Sequence, residues 1–407
     1  MQGKKTVTSE LISMLRYPLA FFVVVQHCYI AIEGWHYNQL SAQSIGSNVV
    51  SELMLSSKIV LSSAICIFYT ISGYLFFVHL KSWDSNVWKR KMSRRIWSLF
   101  IPYIIWNILY ILFQIGPEIA RCIFHGCSWD IVTSWINVHG GWLGMFWDGK
   151  VLDSGIVNLW GQPVQFSGPV LLPFYFIRDL MVVSLFTPLL YFLLRARNHR
   201  ITPCAVITIG FLTFFLLTQT SFVLSGFTAE AFFFYGLGAF LSLNGLELSE
   251  VFYPKRMLIG IVTLSLFFAE LYYGFQASIA GIIIHPFYRV FEVMTVVNIA
   301  SWMVKKSPTS KSVSALKNWF IKWQNASFMI YALHVFFLSS VQAILNKLVD
   351  LVTEDYGVYS LEMSTRYPCL VLMVYLARIV VIVFICMIAS VLMEKYLPRL
   401  NKLVCGR

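Results

Sequence analysis

With 407 residues, 58% of them hydrophobic and only 12% charged, at a mean hydropathy of +0.71, the chain lies far from the soluble composition, in which about 25% of residues are charged. It reads as a polytopic membrane protein. The net charge of +12 does not point to nucleic acid, because the basic residues gather in loops on one side of the predicted crossings, where they meet anionic inner-leaflet lipid.

Ten segments are long enough to cross a hydrocarbon core of about 30 Å: residues 11–32, 55–80, 95–115, 170–194, 201–219, 227–243, 257–275, 279–304, 324–346 and 369–393. The predicted fold is an all-α integral membrane protein of about ten transmembrane helices, one domain over residues 1–407. Both termini are expected in the cytoplasm, because this arrangement leaves only Arg121, Lys150, Lys347 and Arg366 in outer segments. The first segment contains Arg16 and lacks a small-residue cleavage site, so it reads as a retained helix and not as a removed signal peptide.

That first segment holds the most informative pair. An arginine in a transmembrane helix costs at least about 2.5 kcal/mol and normally faces a polar interior. Eleven positions beyond Arg16, His27 returns to within about 20° of the same face, about 16 Å along the axis. Lys58, near a helix end, reads as a snorkelling side chain. Before the third segment, Lys89-Arg90-Lys91-Met92-Ser93-Arg94-Arg95 is either an ordinary positive-inside signal or a clamp for phosphate.

Residues 116–168 form a long outer loop containing Trp129, Trp135, Trp142, Trp147 and Trp160. Its rings could stack on sugars while Asp130, His139, Asp148, Asp153 and Asn158 bond hydroxyls, or the loop could be an interfacial element of the aromatic-belt kind. Cys122 and Cys127 share this loop, and free thiols and a disulfide both stand open. No metal site is expected, since the cysteines lack paired metal spacing and there is no H-E-x-x-H helix.

Further along, Arg178 and Asp179 are adjacent and project about 100° apart, so each should need a partner on another helix. His285, Arg289 and Glu292 share one helix face, and Arg289 can pair with Glu292, while Glu270 and Arg378 add charge at depth. Such charges imply a polar cavity, or else ion pairs that fix helix register. Ser327, Tyr331 and His334 share a face of the ninth segment, where a histidine serves either packing or chemistry. A second outer loop, 347–368, carries Asp350, Glu354, Asp355 and Glu362 and reads as a solvated cap.

Four features in order, Arg16 with ten residues before His27, Phe68-Tyr69-Thr70-Ile71-Ser72-Gly73-Tyr74-Leu75-Phe76, Ile101-Pro102-Tyr103, and Ile330-Tyr331-Ala332-Leu333-His334, together resemble the membrane-bound acyltransferase 3 family from about Leu11 to Leu397. The resemblance implies a plasma-membrane enzyme, in the inner membrane of a Gram-negative cell. It would move an acyl group, usually acetyl, from acetyl-CoA as co-substrate to a hydroxyl of an envelope glycan or lipid-linked sugar, with no permanently bound cofactor. It also implies that Arg16 and His27 are the functional pair. Many members carry Arg-x-x-Arg before the third helix; this chain has Lys91-x-x-Arg94 and Arg95-x-x-Ser98, which leaves donor binding to the cluster Arg90, Lys91, Arg94 and Arg95 as a whole.

On this reading the basic cluster holds the nucleotide end of coenzyme A, and Arg16 holds the arm or stabilises oxyanion charge. His27 takes the acceptor proton or carries an acyl intermediate. Asp179, Arg289, Glu292, Tyr331 and His334 are candidates for acceptor binding, with Trp142 for stacking. The competing reading is a transporter or flippase of lipid-linked sugar, and a third is an inactive sensor of a small ligand. The sequence leaves homo-oligomerisation open.

Overall fold

The structure, a computed structural model, describes residues 7–33, 44–78, 80, 82–157, 162–195, 201–218, 224–273, 278–353 and 357–407. The chain divides into two compact units, one of Met1–Ile65 with Phe252–Leu392 and the other of Cys66–Val251 with Met393–Arg407.

In the first unit, α1 (Val7–Cys28) lies against α15 (Ser327–Asp350) and α17 (Pro368–Tyr396). The core between them joins Tyr17, Ala20, Val24 and Cys28 of α1 to Ile330 and Val341 of α15 and to Val371, Ile382 and Cys386 of α17. Small Ala and Cys side chains at this seam let helix backbones approach closely, which replaces the hydrophobic drive that lipid does not supply. Around this core sit α2 (Ile45–Val60), α12 (Arg256–Tyr272), α13 (Ile279–Lys306), α14 (Lys311–Trp323) and α16 (Leu361–Arg366). Ser44 and Ser278 cap α2 and α13, their hydroxyls accepting from the Ser47 and Gly281 amides at 3.1 Å.

α3 (Ala64–Phe77) continues from α2 after a break at residues 61–63 and lies mainly in the second unit. That unit adds α4 (Ser85–Arg95), α5 (Ile101–His125), α6 (Asp130–Val138), α7 (Gly141–Gly144) and the antiparallel strands β1 (Lys150–Val157) and β2 (Pro163–Gly168), in which Lys150 faces Gly168. It continues with α8 (Tyr175–Leu185), α9 (Thr187–Leu194), α10 (Ile201–Leu217) and α11 (Ala229–Leu243), and ends with α18 (Pro398–Val404). The Trp106 indole of α5 donates to the Val404 carbonyl of α18 at 2.9 Å. α3 and α11 touch backbone to backbone: a Cβ on Gly73 would lie 2.1 Å from the Tyr235 carbonyl oxygen, and one on Gly238 would lie 1.9 Å from that of Thr70.

The expected ten crossings are corrected by the structure. Among the described residues six helices are long and apolar enough to cross a membrane: Val7–Cys28, Ile45–Phe77, Ser85–His125, Ile279–Lys306, Ser327–Asp350 and Pro368–Tyr396. A seventh is reached only if Leu172–Leu185 and Thr187–Leu194, bent by 63°, count as one span. Three other segments form helices of 17, 15 and 17 residues, α10, α11 and α12. At 1.5 Å per residue these are about 23 to 26 Å long, short of a core of about 30 Å. Apolar run length therefore overcounts, and the sidedness inferred from ten crossings goes with that count. The β1–β2 pair is a further element that the sequence reading lacks.

Gly73→Ala should destabilise the folded protein by about 1–3 kcal/mol or more, because the Cβ meets backbone that cannot rotate away. Gly260→Ala, with nothing within 4 Å of its Cβ, should be neutral or stabilising. Thermal unfolding of both variants in detergent checks the contrast.

Candidate functional site

His27 stands in the last turn of α1, half-buried, while Arg16 is exposed on the same helix. The His27 ring lies 5.0 Å, centre to centre, from the ring of His334, which is fully buried on α15. His334 Nδ1 is 2.8 Å from the Tyr331 carbonyl oxygen and 3.2 Å from that of Ile330. A carbonyl only accepts, so Nδ1 carries the proton and Nε2 presents its lone pair. That Nε2 is buried with no hydrogen-bond partner among the described residues.

The backbone around the pair is held by a third helix. Arg378 of α17 donates to the Cys28 carbonyl at 3.1 Å and to the Leu338 carbonyl at 3.3 Å. One guanidinium therefore joins the end of α1, next to His27, to α15 one turn past His334. On the other side, Gln26 donates to the Leu61 carbonyl at the break between α2 and α3. Glu292 of α13 closes the break, its Oε2 accepting from the hydroxyls of Ser62 at 3.1 Å and Ser63 at 2.5 Å. Ser63 also lies 3.4 Å from the Arg289 carbonyl. Lys58, one turn before the break, places its ammonium 4.7 Å above the Tyr29 ring, two residues past His27. His285 and Glu270 pair at 2.9 Å in the same unit.

Sequence reasoning brought His27 and His334 forward as separate candidates and Arg378 as a charge at depth; the structure sets the two rings side by side and adds Gln26, Ser62 and Ser63 as unforeseen supports. The polar Ser62-Ser63 pair inside an apolar run marks the break, but Ser56-Ser57 in the same run lies within α2, so the pair alone could not locate it. Tyr331 is buried, and its carbonyl orients His334. An apolar cavity of about 460 Å³ lies along α1, lined by Tyr17, Pro18, Phe21, Trp319 and Phe320. At 100° per residue its α1 residues centre on the side away from Arg16 and His27, so it is separate from the histidine pair.

The other candidates belong to the second unit. On α4, Lys91 donates to the Phe76 carbonyl, and Arg95 donates to the Ser72 hydroxyl at 2.9 Å and carbonyl at 3.3 Å. Both are thereby committed to α3, whereas Arg90 and Arg94 are exposed. The sequence predicts separate partners for Arg178 and Asp179, but the structure pairs them at 2.9 Å. The long arginine folds back to its neighbour and also donates to the carbonyls of Trp147 at 2.6 Å and Ser167 at 3.1 Å. Asp179 in addition accepts from Thr228 at 2.8 Å. Trp142 is exposed on α7, and Trp135 packs against the His139 ring at 4.0 Å. Cys122 and Cys127 are both free thiols. Asn158, Trp160, Glu354 and Asp355 lie outside the described residues, as does the side chain of Asp153.

A family model described as "Acyltransferase domain" matches residues 11–394, nearly the whole chain. Neither the curated proteins nor the solved structures provide a match. The matched stretch holds His27, His334, Arg378 and the α4 cluster alike. With long apolar helices and this match together, the chain is a multi-pass membrane protein that belongs to the membrane-bound acyltransferase 3 family.

Proposed function

We propose that the protein transfers an acyl group, acetyl in the simplest case, from acyl-CoA to a hydroxyl of an envelope glycan or lipid-linked sugar, in the plasma membrane or the inner membrane of a Gram-negative cell. The observation that carries the reading is the His27–His334 pair within a chain of the acyltransferase family. Family membership also favours transfer over transport of such a sugar.

The chemistry needs a base for the attacking hydroxyl. A ring-centre separation of 5.0 Å suits one N–H···N bond of about 2.9 Å between two imidazoles. His334 Nε2 has no partner among the described residues, so a turn of the His27 ring that brings its N–H to that atom would leave the other His27 nitrogen with a lone pair for the acceptor, His27 being the less buried ring. The hydroxyl oxygen attacks the thioester carbonyl carbon as its proton passes to His27. The C–S bond breaks, and the proton returns to the thiolate, so that coenzyme A leaves as the free thiol. With that bond made, His334 would hold His27 in the tautomer that accepts, and Arg378 ties together the two helices that carry them.

Arg90 and Arg94 suit the donor phosphates, being exposed and one turn apart on α4. Lys91 and Arg95 hold α4 on α3. Glu292 and Arg289 sit at the helix break, and Asp179 is held by Arg178 and Thr228, which suits them to support more than to acceptor contact.

Transfer of isotope-labelled acetyl from acetyl-CoA to envelope carbohydrate tests the reading in membranes. His27→Ala should lower the rate by about 10²- to 10⁴-fold, the range for a general base. Intact transfer by that variant would discard His27 as the base, and failure of the wild type to bind any acyl-CoA would discard the enzyme reading. His334→Phe, which keeps bulk but removes the lone pair, should lower kcat by about 10²-fold with little change in KM for the donor.

A second measurement separates the α4 residues. Arg90→Ala with Arg94→Ala should raise KM for acyl-CoA about tenfold, which is about 1.4 kcal/mol of donor binding, at unchanged stability. Lys91→Ala with Arg95→Ala should instead lower the unfolding temperature.

A further inference from the structure

The uncharged stretch of α4 and α5 locates its bilayer part. Between Arg95 and Glu118 no residue is charged, and these 22 positions rise about 33 Å, close to the hydrocarbon thickness of about 30 Å. Tyr103, Asn107 and Tyr110 therefore lie at membrane depth, Tyr103 about 33 Å and Tyr110 about 22 Å back from His125 along the helix.

The Trp-rich segment leaves α5 at His125, where Gly126 turns the chain with φ +64°, and does not stay beyond the helix end. The Phe146 carbonyl accepts from the Tyr103 hydroxyl, the Lys150 ammonium lies 5.3 Å above the Tyr110 ring, and the Leu171 amide donates to Asn107 Oδ1 at 3.2 Å. Residues 146–150 and 171 thus run beside the middle of α5.

Backbone polar groups at that depth have no water to bond, so irregular backbone must be buried in protein with its groups satisfied. The buried part of this segment meets the condition. Arg178, 1% exposed, donates to the carbonyls of Trp147 and Ser167, and the Val170 amide donates to the Met145 carbonyl at 2.8 Å. Met145, Val170 and Leu171 are fully buried. Strongly exposed apolar side chains stand on α7 instead, Trp142 at 65% and Leu143 at 87%, and the carbonyls of Gly141, Leu143 and Gly144 accept from the Met145, Phe146 and Trp147 amides. On α6, Ile131 and Val138 are exposed and Trp135 is half-buried, all on one face, next to a polar face of Asp130, Ser134 and Asn137.

We propose that residues 141–150 and 167–171 are embedded in the bilayer beside α5, with Trp142 and Leu143 against lipid acyl chains and α6 lying along the headgroup boundary. The partner is hydrocarbon and not carbohydrate. A sugar platform calls for aromatic faces flanked by hydroxyl-bonding side chains, and the most exposed side chain here is an aliphatic leucine. α5 itself carries exposed apolar side chains, Ile108, Leu112 and Phe113, with Ile123 and Phe124 near its end. Lys150, carried to this depth, is held by its cation–π contact, and Asp148 requires polar surroundings, so lipid covers the Trp142–Leu143 side alone.

The test uses the full chain in lipid nanodiscs, with the accessible Cys127, Cys204 and Cys369 replaced by serine. Leu143→Cys should react with a membrane-impermeant maleimide at least about tenfold more slowly than Asp130→Cys, with full reaction of both in SDS. A spin label on Trp142→Cys should be relaxed by dissolved oxygen more than by an aqueous nickel chelate. Both positions are exposed, so neither substitution disturbs the core. Labelling of Leu143→Cys at the Asp130→Cys rate would overturn the proposal. Protection that arises only on addition of the glycan acceptor would also overturn it, and would assign the surface to carbohydrate.

Discussion

At membrane depth every unsatisfied backbone group or charge costs several kcal/mol, and the polar side chains of this protein are arranged around that constraint. The break between α2 and α3 exposes helix-end groups inside one long span. Gln26 answers the Leu61 carbonyl, and Glu292 gathers Ser62 and Ser63. Arg378 does the same for Cys28 and Leu338, and Arg178 for Trp147 and Ser167. Each of these side chains ties together groups from different elements.

The histidine pair depends on this arrangement. His334 is held by carbonyls of its own helix, so its tautomer follows from α15 and does not wait for substrate. Its Nε2 is a buried acceptor without a donor among the described residues, a condition worth about 1–3 kcal/mol of desolvation. On the proposed reading, a His27 N–H turned toward that atom would relieve the penalty and give His27 a preferred tautomer.

The sequence made the membrane class and the His27 face of α1 legible because both rest on local periodicity and composition. It did not reveal the number of crossings. Apolar composition is the same on either side of the bend at Phe186, and α11 with its 15 residues is as apolar as a full span. Arg178 misled for a related reason: helix geometry fixes the Cβ direction at about 100° per residue, but an arginine is long enough to fold back on Asp179. Arg378 could be read only as a charge at depth, since its acceptors are backbone carbonyls about 40 and 350 residues away in sequence. The Trp-rich loop has the same composition whether it faces sugar or lipid, and only its contacts with Tyr103, Asn107 and Tyr110 place it.

The α4 cluster gives the departure from Arg-x-x-Arg a physical meaning. Positions four apart on a helix share a face, so Lys91 and Arg95 form one stripe, and Arg90 and Arg94 form another about 100° away. The first stripe binds α3, where Arg95 also lies 5.3 Å over the Phe76 ring and 5.8 Å over that of Tyr235. The second stripe is exposed. A lysine serves the first stripe well, because a single carbonyl oxygen needs one donor and not a planar fork. Two arginines would suit the second if it meets the donor as proposed, since a phosphate offers oxygens that a guanidinium grips in pairs. On the proposed reading, anchoring and donor recognition fall to different faces of one short helix, and the second could change without loosening the first.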